Sequence, residues 1–120
     1  LLLPCDAPFI SKEILTLLFD ICVNVDAAIP RWPNGYVEPL HAVYQTKSAV
    51  NAAAAALSAN RMDMRSMMSF LRRVRYVSTI VLKELDPHLN TFFNVNTKSD
   101  LRKAERMKES GRYGCNLDSC

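Results

Sequence analysis

Leu1-Leu2-Leu3-Pro4-Cys5-Asp6-Ala7-Pro8-Phe9-Ile10-Ser11-Lys12-Glu13-Ile14 opens the chain, and its reading decides the fold. Leu1 to Cys5 is apolar without alternation, the pattern of a short strand covered on both faces. Pro8 then breaks the path. Ser11 is suited to cap a helix, with Glu13 in its first turn. Ile14, Leu17, Leu18 and Ile21 follow at helical spacing, so a helix is expected from Ser11 to about Cys22. Strand, break and helix in this order are the repeating unit of layered α/β domains. No Met or polar start precedes Leu1, and an apolar run at a chain end would be an unpaired strand. A segment ahead of Leu1 is therefore expected.

Working outward, Ala27 to Ile29 reads as a second strand ending at Pro30. Arg31-Trp32-Pro33-Asn34-Gly35 reads as a turn, because Asn and Gly both tolerate positive φ. Tyr36 to Tyr44 reads as a third strand that Pro39 interrupts. Ser48 to Ala59 is an Ala-rich helix with Asn60 as a left-handed cap. Met64, Met67, Met68 and Leu71 mark the buried stripe of another helix. Tyr76 to Val81 and Phe92 to Asn96 complete the predicted strands. Thr97 and Asp100 form a capping box before a last helix whose inner stripe is Leu101, Ala104 and Met107, stopping near Gly111. The expected fold is α/β, three-layered, with a mostly parallel sheet that has acquired a hairpin. Residues 1–111 form the domain portion, and 112–120 are expected to be a disordered polar tail.

Composition narrows the function classes. The chain has 120 residues, 49% hydrophobic, and carries a net charge of +3, with no long basic run to demand nucleic acid. No apolar stretch approaches the roughly 20 residues of a membrane helix, and no signal peptide is visible. Cys5, Cys22, Cys115 and Cys120 show no metal-ligand spacing. A reduced cytoplasm is the simplest expectation. Only three glycines occur, and none forms a phosphate-cradling loop.

Ligands of open α/β sheets bind beyond the carboxyl ends of the strands. Asp6 ends the first predicted strand, where its carboxylate could hold Mg²⁺ together with substrate phosphates, or could cap the following turn. Asn94 and Asn96 lie two apart on a predicted strand and so share a face. Their amides suit a heteroaromatic ring or phosphate, or equally could tie loops together. Arg65 offers a donor fork matching phosphate, though a lone helical Arg is commonly solvated. His41 reads as a base or as a half-buried structural histidine, and Trp32 as a stacking residue or a cover for the turn.

Three segments together resemble the molybdenum cofactor guanylyltransferases: Leu3-Pro4-Cys5-Asp6-Ala7-Pro8-Phe9, Tyr36-Val37-Glu38-Pro39-Leu40-His41-Ala42-Val43-Tyr44, and Phe92-Phe93-Asn94-Val95-Asn96-Thr97. The resemblance covers residues 1 to about 108 and implies a Rossmann-like nucleotidyltransferase fold. It implies transfer of GMP from GTP to molybdopterin or its molybdenum form, with release of pyrophosphate. By position, Asp6 resembles the Mg²⁺-binding aspartate, and Asn94 and Asn96 the pair on the pterin side of the cleft. Pro39 resembles a cleft-lining proline of the middle motif, and Arg65 a basic residue on the acceptor side. The family begins with a Gly-rich nucleotide-binding loop that these residues lack, so the resemblance implies a carboxyl-terminal half, expected to be inactive alone. Cytidylyl transfer, or a noncatalytic half-domain that binds pterin or a partner protein, are the alternatives.

Overall fold

The structure is a computed structural model that describes residues 1–110. The expected polar tail and its two cysteines, Cys115 and Cys120, lie outside the described residues, as does Gly111.

Helix α1, Lys12–Ile21, begins where the sequence places it: the Ser11 side chain accepts the Ile14 N–H. Its apolar stripe drives Ile14 and Leu18 to complete burial. Strand β1, Ala27–Arg31, is followed by a hairpin and by the two-residue strand β2, Val43–Tyr44. Helices α2, Thr46–Ser58, and α3, Met64–Ser69, lead to strand β3, Val74–Ser78. A short helix α4, Thr79–Leu82, a 3₁₀ turn at Asn90–Phe92, and helix α5, Lys98–Glu109, complete the order.

The sheet runs β2-β1-β3, with β1 parallel to β3 and antiparallel to β2. It is mixed, with the antiparallel ladder coming from the hairpin. Alternation along β1 divides the core in two. Ala27 and Ile29 face Ala52, Ala56, Met67 and Met68 of α2 and α3. Ala28 faces the opposite way, toward Ile14, Leu18, Val77, Leu82 and Leu89. Helices on both faces of a central sheet make three layers. Asp26, at the entry to β1, ties α2 and the chain entering β3 to it. Its carboxylate accepts the Ser48 hydroxyl at 2.7 Å and the N–H groups of Arg72 and Arg73 at 2.9 Å each.

Several local expectations are corrected. Leu1 to Cys5 makes one antiparallel bridge, Leu2 with Ala42, and Leu1, Leu2 and Leu3 are exposed, because among the described residues no strand covers their other edge. The Arg31–Gly35 turn does not need positive φ at Asn34. Gly35 alone has it (φ 88°), and the Gly35 N–H closes the turn on the Trp32 carbonyl at 2.9 Å. The predicted strand from Tyr36 to Tyr44 breaks into a Val37 bridge to Arg31, a turn closed by the His41 N–H on the Glu38 carbonyl, and β2. The strand predicted to reach Val81 ends at Ser78, whose hydroxyl accepts the Ile80 N–H and starts α4 instead. Phe92 to Asn96 is not a sheet strand: the 3₁₀ turn occupies its start, and one main-chain bond to Asp6 holds the rest. In α5 the capping box forms as expected, yet Leu101 is half exposed and only Ala104 is buried.

Candidate functional site

The Leu2 segment is antiparallel to Ala42, and β2 is antiparallel to β1, so the Leu2 segment runs with β1 and β3. Its carboxyl end, the carboxyl end of β1 and the start of β2 therefore share one end of the sheet. Asp6, the Trp32–Gly35 turn and the Glu38–His41 turn collect there, the place where open α/β sheets bind ligands.

The third segment closes onto this end. The Val95 N–H, between the two asparagines, donates to the Asp6 carbonyl at 2.8 Å. Phe93 lies against Phe9 with ring centroids 6.1 Å apart, and the Lys103 ammonium sits 5.1 Å above the same Phe93 ring. Phe92 turns the other way, edge-on to His41 at 4.9 Å and to Trp32 at 5.6 Å. The consecutive phenylalanines thus grip the first and the middle segment separately.

Asp6 is half-buried, with its main-chain carbonyl engaged by Val95 and its carboxylate unconstrained by any hydrogen bond among the described residues. Asn94 and Asn96 are both exposed, so water satisfies their amides and burial imposes no partner on them. Pro39 is half-buried, and its carbonyl accepts the Tyr44 hydroxyl at 2.7 Å. No hydrogen bond or ring contact among the described residues joins Arg65 to this group. Arg65 is exposed on α3, which packs on the opposite face of the sheet from Phe92.

The electrostatics of the middle segment follow from burial. Glu38 accepts the Trp32 indole N–H at 2.7 Å; burial pushes its carboxyl up, and that hydrogen bond pulls it partly back. His41 is 2% exposed, and burial lowers it from 6.5 to about 4, so it is neutral near pH 7. Its Nε2 lies 3.2 Å from the Thr91 hydroxyl, while Nδ1 is buried without a partner. Thr91, fully buried, was not singled out from the sequence. A lone Thr before two phenylalanines carries no signal; only its place in space does.

Among the described residues no cluster of three His, Cys, Asp or Glu side chains could form a protein-only metal cage. Mg²⁺ is commonly held by one or two carboxylates, with substrate phosphates and water completing its shell. The single carboxylate of Asp6 fits a shared site of that kind. No helix among the described residues is long and apolar enough to cross a membrane.

Residues 1–77 match the family model of the MobA-like NTP transferase domain. The probable molybdenum cofactor guanylyltransferase of Methanosarcina mazei is 38% identical over 96 residues, covering 80% of this chain and 42% of that protein. The molybdenum cofactor guanylyltransferase of Desulfosudis oleivorans is 35% identical over 109 residues, covering 90% of this chain and 52% of that one. Among solved structures, the molybdopterin-guanine dinucleotide biosynthesis protein A of Archaeoglobus fulgidus superposes with a TM-score of 0.78 at 31% identity, covering 91% of this chain and 55% of that one. The chain spans about half the length of the relatives it matches. With an α/β fold of three layers and three motif segments gathered at one end of its sheet, the chain belongs to the MobA-like NTP transferase family.

Proposed function

We propose that the protein containing this chain is a cytoplasmic molybdenum cofactor guanylyltransferase, joining GMP from GTP to molybdopterin or its molybdenum form. The observation that supports this reading is the Val95 N–H to Asp6 carbonyl bond, which draws the main chain between the two exposed asparagines against Asp6. A phosphate oxygen of the pterin attacks the α-phosphorus of GTP, a new phosphoanhydride bond forms, and pyrophosphate leaves. Asp6 would hold Mg²⁺, which neutralises charge on the transferring phosphates. Asn94 and Asn96 would orient the pterin through their paired donors and acceptors. Pro39, fixed by Tyr44, would wall the cleft. Most of the acceleration in such a transfer comes from positioning and charge neutralisation, which needs no protein nucleophile. Arg65, exposed on α3, would meet an acceptor phosphate.

The test is pyrophosphate release by the complete protein with Mg²⁺, the pterin acceptor, and either GTP or CTP. Turnover with GTP and formation of the guanine dinucleotide support the reading. Turnover with CTP alone would replace the guanylyl assignment, and no turnover with either would remove the enzyme assignment.

A further inference from the structure

The three motif segments are far apart in sequence, and one buried contact joins them beneath the surface that Asp6, Asn94 and Asn96 present. Thr91 receives the Ser11 N–H on its Oγ1 at 3.2 Å, which anchors it to the start of α1 five residues after Asp6. The same oxygen lies 3.2 Å from His41 Nε2 in the middle segment. The Thr91 N–H donates to the Asp86 carboxylate at 2.8 Å, fixing the 3₁₀ turn from which Asn94 and Asn96 extend. Both side chains are almost wholly buried, at 0% for Thr91 and 2% for His41.

A hydroxyl has one proton to give and can accept at two lone pairs. Ser11 takes one lone pair, and His41 Nε2 meets either the other lone pair or the proton. In both arrangements His41 Nδ1 remains orphaned. Native proteins rarely leave such groups, and they concentrate local violations where function requires them. A site serving packing alone would be better filled by an apolar side chain.

We propose that His41 and Thr91 are positioning residues: their buried hydrogen bond holds the Asn94–Asn96 segment in register with Asp6, and binding of the pterin acceptor depends on it. The catalytic half of this statement rests on the guanylyltransferase reading, whereas the register itself does not. The two are tested separately, in the complete protein, with Thr91→Val and Thr91→Ser. Valine keeps the volume and loses the hydroxyl; serine keeps the hydroxyl.

Amide hydrogen exchange at Val95 reads the register without any activity. Thr91→Val should speed exchange at Val95 at least about tenfold while the amides of β1 and β3 stay within about twofold, and Thr91→Ser should restore protection. Unchanged exchange at Val95, or a uniform rise across the sheet, overturns the register. In steady-state kinetics Thr91→Val should raise KM for the pterin at least about tenfold and leave KM for GTP within about twofold, with Thr91→Ser close to the unaltered protein. A loosened Val95 with unchanged pterin KM overturns the dependence of acceptor binding on the junction. If the unaltered protein has no turnover, the guanylyltransferase reading fails and exchange at Val95 still decides the register. Should Thr91→Val not fold, His41→Gln is put through the same two measurements, against the same outcomes.

Discussion

Asp6 does two separable things with one residue. Its carbonyl receives the Val95 N–H, and its carboxylate stays open toward the candidate site. Asp6→Ala therefore removes the acid and keeps the main-chain bond. It should lower Mg²⁺-dependent turnover at least about a hundredfold with little change in melting temperature, and undiminished turnover would refute the metal role. His41 makes a prediction of a different kind. Its folded value of about 4 lies below the ordinary 6.5, so above about pH 6.5 neither state binds a proton there. As pH falls from 6.5 toward 4 the unfolded chain takes up a proton that the folded chain refuses, and stability drops by up to about 3 kcal/mol. Glu38, raised from its ordinary 4.5 by burial, contributes with the opposite sign from about that value upward and so offsets part of the loss at the acid end of the window. Urea midpoints measured between pH 7 and 5 should slope downward, and His41→Gln should flatten that slope. At this scale the sequence pointed to Asp6 because a carboxylate follows an apolar run. It left His41 between base and structural residue, because its neighbours Thr91 and Phe92 are about fifty residues away.

Helix α1 and the hairpin show which elements local sequence controls. The stripe Ile14, Leu17, Leu18, Ile21 and the Ser11 cap define α1, and its burial against Val77, Leu82 and Leu89 is what holds it. Leu18→Ala should cost about 2–5 kcal/mol in chemical denaturation, since the fully buried site leaves a cavity. Gly35 is required for conformation alone. A Cβ there would meet nothing nearer than the Arg31 side chain at 3.9 Å, yet φ of +88° strains any L-residue. Gly35→Ala should cost about 1 kcal/mol without disturbing packing. Elements of period two fared worse than helices. Val37 and Val43 both pair with β1 or its end, yet the stretch between them turns at Glu38–His41, because Pro39 has no N–H for a ladder. Leu101 misled in the last helix because an apolar residue at the right spacing does not guarantee something to pack against.

For the whole molecule, the question is where the two exposed amides and the acid end up. If they share one surface with the pterin, replacing Asn94 and Asn96 with Ala should raise KM for the pterin about tenfold per amide lost and move KM for GTP little; the reverse ranking would place the acceptor elsewhere. The 120 residues contain only three glycines and no phosphate loop, so the isolated chain should bind GTP at least about a hundredfold more weakly than the complete protein in calorimetry. The sequence by itself determined the α/β class, the caps of α1 and α5, the sorting of Met67 and Met68 into the core and the three motif segments, because each rests on spacing within a few residues. Only the tertiary structure decided that these segments meet at one end of the sheet and that Thr91 lies at their junction. Such contacts join residues eighty positions apart, as Ser11 and Thr91 are, or more, and no local periodicity encodes which distant side chain will fill a given lone pair.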